Sequence, residues 1–149
     1  MDKFSFDIET LNRISDTPMV SENRAPYGHK DKGFRGLRVW QAGMDLVEAC
    51  YRVSQNFPKA EQFGLTSQLR RAAISIPSNL AEGWGRHTDP EFSRFVDISI
   101  GSSCEVESLV EVSNRLEFLE PSTYSEILEY ANKVGSMQYR LRAALKHQP

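Results

Sequence analysis

Leu65 to Arg86, LTSQLRRAAISIPSNLAEGWGR, is the stretch whose reading decides the fold. Leu65, Leu69, Ala72, Ala73, Ile76 and Leu80 recur at helical spacing and form an apolar stripe. A second line at similar spacing, Gln68, Arg71, Ser75, Asn79 and Glu82, carries amide, guanidinium, hydroxyl, amide and carboxylate in turn. Such a line serves either as a partly buried hydrogen-bonding network or as a solvated face, and periodicity alone leaves both open. Thr66 or Ser67 is a plausible N-cap, and Gly83 and Gly85 supply a helix end. Pro77, inside the helix, removes one backbone hydrogen bond; a kink is expected, with the Ile74 carbonyl side left free for a water or a side chain.

Working outward, Gly36 to Asn56 reads as a preceding helix. Leu37, Trp40, Met44, Val47, Tyr51 and Ser54 step by three and four as a packing seam, with Val39, Ala42, Leu46, Ala49 and Val53 as a second apolar flank. That is more apolar surface than one bundle core needs. Phe57-Pro58 ends this helix, and PKAEQFG makes a turn or a short helical piece.

Downstream, HTDPEF starts a third helix, with Asp89 as N-cap and Pro90 at the first helical position. It is expected to run to about Leu119, on a stripe of Phe92, Phe95, Val96, Ser99, Ser103, Val106, Leu109, Val110, Ser113 and Leu116. Gly101, Ser102 and Ser103 would admit close approach of another backbone. Thr123 and Glu126 form a capping-box pattern for a fourth helix, whose Ile127, Leu128, Ala131, Val134, Gln138, Leu141 and Leu145 face a core. With no strand signal, the economical fold is all-α, an antiparallel up-down four-helix bundle with a kinked second helix. Residues 34–149 would form this domain. Residues 1–33 read as a largely irregular, flexible N-terminal extension, in which Phe4, Phe6, Ile8, Leu11 and Ile14 are apolar enough to dock on a partner.

The length of 149 residues suits one domain, and a net charge of −2 confines any nucleic-acid contact to a local patch or to oligomer geometry. Cys50 and Cys104 lie in apolar helical settings without a CxxC, so both are expected as buried thiols in a reducing cytoplasm. No apolar run approaches the ~20 residues of a membrane span. His29, His87 and His147 are isolated, Glu105 and Glu107 cannot face one way on a helix, and neither a metal-binding pair nor a nucleophile motif occurs. The expectation is a protein without catalytic residues, metal or cofactor.

The stretch from FRGLRVWQAGMDLVEACYRVSQNFPKAEQFG through Arg86, followed by EFSRF and GSSCEVE, closely resembles the 23S rRNA intervening-sequence protein family over about Phe34 to Lys146. The family's recurring positions fall here on Trp40, Phe57-Pro58, Glu61, Gln68, Arg70, Arg71, Ala72, Ser75, Ile76, Pro77, Asn79, Ala81, Glu82 and Gly83. They continue at Arg86, Phe92, Phe95, Gly101, Ser102, Glu105 and Glu107. The resemblance implies a four-helix bundle that assembles as a homopentameric ring. Related bundle proteins look like accessory subunits of diversity-generating retroelements, which bind nucleic acid and a reverse transcriptase. The N-terminal extension is not part of the family pattern.

Charge is segregated along the chain. Arg35 to Arg86 holds seven Lys/Arg against four Asp/Glu, Asp89 to Glu129 two against ten, and Lys133 to Lys146 four against none. If the basic end of the fourth helix lies near Arg70, Arg71 and Arg86 around a ring, symmetry multiplies a modest patch. Arg70, Arg86, Arg140, Arg142 and Lys146 are then the candidate contacts to RNA or DNA phosphate. Trp40, Gln68, Arg71, Asn79, Glu82 and Glu105 are the candidates for holding helices and subunits together. The competing expectation is that these arginines pair with Glu82, Glu105, Glu107 or Glu111. The alternative function is a protein-interaction module that uses the N-terminal extension and binds no nucleic acid.

Overall fold

The structure, a computed structural model, describes residues 30–86 and 88–146, with side chains from Gly33 onward. The docking stretch Phe4 to Ile14 and the three histidines lie outside the described residues. Four helices follow in order: α1 (Arg38–Ser54), α2 (Leu65–Trp84), α3 (Asp89–Arg115) and α4 (Pro121–Lys146). A 3₁₀ segment, Lys30–Gly36, leads into α1 and breaks at Gly33, whose φ of 56° suits glycine; a second, Lys59–Glu61, precedes α2. No strand occurs among the described residues.

Each helix packs against the next, and α4 closes on α1. Contacts pair early residues of one helix with late residues of its neighbour. Arg70 meets Ser54, Gly83 abuts Phe92 and Phe95, and Arg52 reaches Glu126. These neighbours therefore run antiparallel. Gly43, Ile76, Ser99 and Gln138 mark the middle of the bundle, because Gly43 lies against Ile76, Ser99 bonds the Ile76 carbonyl and Gln138 bonds Ser99. Above that level is the head, which carries the α2–α3 turn and the start of α1. Below it is the foot, with the α1–α2 and α3–α4 connections.

The core of α1 is the flank expected to be secondary. Val39, Ala42, Leu46, Ala49, Cys50 and Val53 are buried, whereas Trp40, Met44 and Val47 are only half-buried and Tyr51 is exposed. Small residues decide this. Ala42, Gly43 and Ala49 let α2 approach so closely that a Cβ on Gly43 would lie 3.3 Å from Ile76 Cγ2. On α3 the expected stripe is buried from Phe92 to Ser113, with Phe95 half-buried and Leu116 exposed. On α4, Ile127, Ala131, Val134, Gln138, Leu141 and Leu145 are buried as their spacing requires.

Helix starts differ from expectation. Gly64, not Thr66 or Ser67, occupies the N-cap of α2, and the Glu61 carboxylate accepts the Leu65 N–H at 3.0 Å. Thr88 precedes α3 in extended conformation, so Asp89 lies inside the helix; the Thr88 hydroxyl donates to the Glu91 carboxylate at 2.9 Å. Helix α4 begins at Pro121, placing Thr123 within its first turn, while Glu126 pairs with Arg52 at 3.0 Å instead of closing a capping box. Helix α2 runs unbroken through Pro77. The i to i−4 pattern makes Ala73, rather than Ile74, the carbonyl that loses its donor. The carbonyl that gains a side chain is Ile76, which accepts from Ser99 at 3.0 Å.

Candidate assembly and nucleic-acid interface

The polar line of α2 divides between its two readings. Ser75 and Asn79 are half-buried. Asn79 donates from Nδ2 to the Ser75 carbonyl at 2.7 Å and to Ser75 Oγ at 2.9 Å, and the Ser75 and Ser102 hydroxyls share a hydrogen bond at 2.8 Å. Gln68, Arg71 and Glu82 are exposed. The network thus occupies the middle of the α2–α3 seam, and the ends of the line are solvated.

A second network lies deeper and joins three helices. Ser103 Oγ donates to Gln138 Oε1 at 2.9 Å, Gln138 Nε2 donates to Ser99 Oγ at 2.8 Å, and Ser99 Oγ donates to the Ile76 carbonyl at 3.0 Å. Gln138 and Ser99 are fully buried. Unpartnered, these groups would each cost about 1–3 kcal/mol. The sequence stripes contained Ser99, Ser103 and Gln138, but nothing in their spacing said that they meet one another.

The candidate phosphate contacts fall on both ends of the bundle. Arg86 follows α2 at the head, ion-paired with Glu82 and stacked over the Phe95 ring at 5.1 Å. Arg142 is ion-paired with Asp97, also at the head, with Lys146 exposed beyond it and Arg140 half-buried on the same helix end. Arg70 lies at the foot. Its Nε donates to Ser54 Oγ at 2.8 Å and its guanidinium covers the Tyr51 ring at 4.6 Å. Sixteen residues of α2 and its turn separate Arg70 from Arg86, about 24 Å at helical rise, so within one chain they form no common patch. The pairing reading holds for Arg86 with Glu82, whereas Arg142 finds a partner not foreseen, Asp97.

The halves differ in charge. Among the residues whose side chains are described the head holds seven Lys/Arg against four Asp/Glu, and the foot six against ten. Three head cations that sequence reasoning did not nominate, Arg35, Arg38 and Arg94, are exposed. Arg38, Arg94 and Lys146 make no ion pair among the described residues. At the foot, Glu111 accepts from Arg115 and from the Tyr124 hydroxyl, each at 2.7 Å. The Arg115 bond above all, then that of Tyr124, lowers the Glu111 pKa below the ordinary carboxylate value. Burial pushes the Glu107 carboxyl the other way, upward.

Of the assembly candidates, Trp40 is half-buried, with its ring edge-on to Phe34 at 5.3 Å. It walls a groove of about 240 Å³ between α1 and α2, with Met44, Val47, Ile74, Pro77 and Ala81. This is the surplus apolar surface legible in the sequence. Glu105 is exposed, and like Gln68 and Arg71 its side chain makes no hydrogen bond or ion pair among the described residues. Cys50 is buried and its thiol is pushed up to about 12 by that burial, but Cys104 is exposed, against the expectation that both are buried.

Residues 35–140 match the family described as 23S rRNA-intervening sequence protein. The chain belongs to that family. The match spans all of α1 to α3 and most of α4, so the α2 polar line, the groove and the head arginines except Arg142 lie within it, with Arg142 and Lys146 just beyond. No curated protein matches the chain. Among the described residues no group of three or more His, Cys, Asp or Glu could hold a metal, and no helix is long and apolar enough to cross a membrane.

Proposed function

We propose that this 23S rRNA-intervening sequence protein is a non-catalytic scaffold that assembles as a homopentamer and holds RNA or DNA phosphate on the head of its bundle. The observation that carries the reading is the charge division, with Arg35, Arg38, Arg86, Arg94, Arg140, Arg142 and Lys146 all in one half. Repeated around a ring, this surface would form a cationic rim while the acidic feet point away. An accessory subunit of a ribonucleoprotein, such as a diversity-generating retroelement reverse transcriptase, is the role this reading gives it. Arg70 belongs to the other end and takes no part.

The test is native mass spectrometry of protein purified without nuclease, followed by polarisation of a labelled single-stranded RNA. A pentamer is expected, with RNA affinity that falls steeply with salt and falls again in the Arg94→Glu, Lys146→Glu double variant. Deleting residues 1–29 should leave that binding intact. Binding insensitive to both salt and charge reversal would sink the phosphate role.

A further inference from the structure

Phe63 is 91% exposed, the most exposed of the large apolar side chains described. An isolated exposed apolar residue on a loose loop carries little meaning, but this one stands on a tightly bonded turn. Glu61 N–H donates to the Pro58 carbonyl at 2.8 Å, Gly64 N–H to the Glu61 carbonyl at 3.0 Å, and the Glu61 carboxylate holds the Leu65 N–H. The backbone beneath the ring is fixed in advance of any partner, so only the side chain's own rotamer freedom remains to be lost when it binds.

We propose that Phe63 of one copy of the chain inserts into the groove between α1 and α2 of a second copy. The groove, apolar on its walls except at Ser78, has about 240 Å³ of space. An apolar cavity of about 150 Å³ already accommodates a benzene ring, so a phenyl side chain fits. Ile74 on its wall is 42% exposed and would be covered. The chain cannot fill its own groove, because Phe63 stands on the turn just before α2 while the α2 wall of the groove lies well along that same helix. Ile74 to Ala81 lie about 16 to 27 Å along the axis from Phe63 at 1.5 Å per residue.

Charge agrees with this seating. Lys59, four residues before Phe63, and Glu48, four residues after Met44, are both exposed and unpaired among the described residues. They would face each other with opposite sign. Knob and groove are different surfaces, so the contact is heterologous and propagates head to tail until it closes on itself. One phenyl ring buries about 150–250 Å² of the roughly 800 Å² per partner of a standard interface. It is therefore the anchor of a larger contact. The inference rests on the self-association in the proposed function and names the surfaces that make it.

The experiment places photoreactive p-benzoylphenylalanine in place of Phe63 and maps the crosslinks, alongside Phe63→Ala and the groove-filling Ala81→Phe. The expected result is an interchain crosslink to the peptides around Trp40–Val47 or Ile74–Ala81. Each substitution should weaken association at least about tenfold with helicity by circular dichroism unchanged. Crosslinks to another surface, or an oligomer indifferent to both substitutions, overturn this contact while leaving the assembly reading standing. A wild-type chain that is monomeric at every concentration overturns both.

Discussion

A Cβ on Gly83 would lie 2.6 Å from the Cβ of Phe95 and 2.7 Å from Phe92 Cδ2, so α2 and α3 meet at the head with no room for a side chain between them. Gly83→Ala must push two aromatic residues aside and should cost about 1–3 kcal/mol. Gly135 faces open space, with nothing within 4 Å of its would-be Cβ, so Gly135→Ala should gain roughly 0.5–1 kcal/mol from helix propensity. Urea denaturation of the two variants should give opposite signs, and a shared sign would contradict the packing described.

The buried chain from Ser103 through Gln138 and Ser99 makes its members interdependent. Gln138→Leu leaves Ser103 without its acceptor and should lose about 1–3 kcal/mol. Adding Ser103→Ala to it should recover a large part of that loss, because the orphaned hydroxyl goes with it. A double-mutant cycle in denaturant reads the coupling directly, and strict additivity would show that the network contributes nothing as a unit.

Glu107 offers a pH test. Its pKa is raised by burial, so the native state prefers the protonated form more than the unfolded chain does. The stability linked to that preference is complete below the unfolded pKa and lost as pH rises through the folded one. Glu107→Gln should therefore raise the melting temperature at neutral pH, with the gain fading as the pH drops below the ordinary glutamate range. A gain of equal size at all pH values would assign the effect to something other than the carboxylate charge.

Among the described residues, Glu61 is the only side chain that satisfies an N–H at the start of α2. Glu61→Ala should cost about 1 kcal/mol, the usual worth of a helix cap. The local signature is faster hydrogen exchange at the Leu65 amide. Protection unchanged at Leu65 would show that the carboxylate is dispensable there.

Much of the fold is legible in the sequence because three of the four helices each carry one apolar stripe. Helix α1 carries two, and spacing cannot choose between them. The larger residues Trp40, Met44, Val47 and Tyr51 suggest a core, yet the small residues Ala42, Gly43 and Ala49 permit the closer backbone approach and win. Capping patterns misled for a related reason: Thr123 and Glu126 have the right spacing, but Glu126 finds Arg52 on another helix. The candidate site was legible as residue types and not as a place. Arg70 and Arg86 are neighbours in a motif, and only the length of α2 reveals that they occupy opposite ends.

The Ser103–Gln138–Ser99 chain also limits how the bundle can move. Sliding α4 along α3 by one turn would bring either Val134 or Arg142 opposite the two serines, stranding the Ser103 hydroxyl or driving a guanidinium into the core. Shear between these helices is thus blocked in both directions at the centre. Helices α3 and α4 move as one body, and any change of shape within the bundle is left to the contacts that lack such a network.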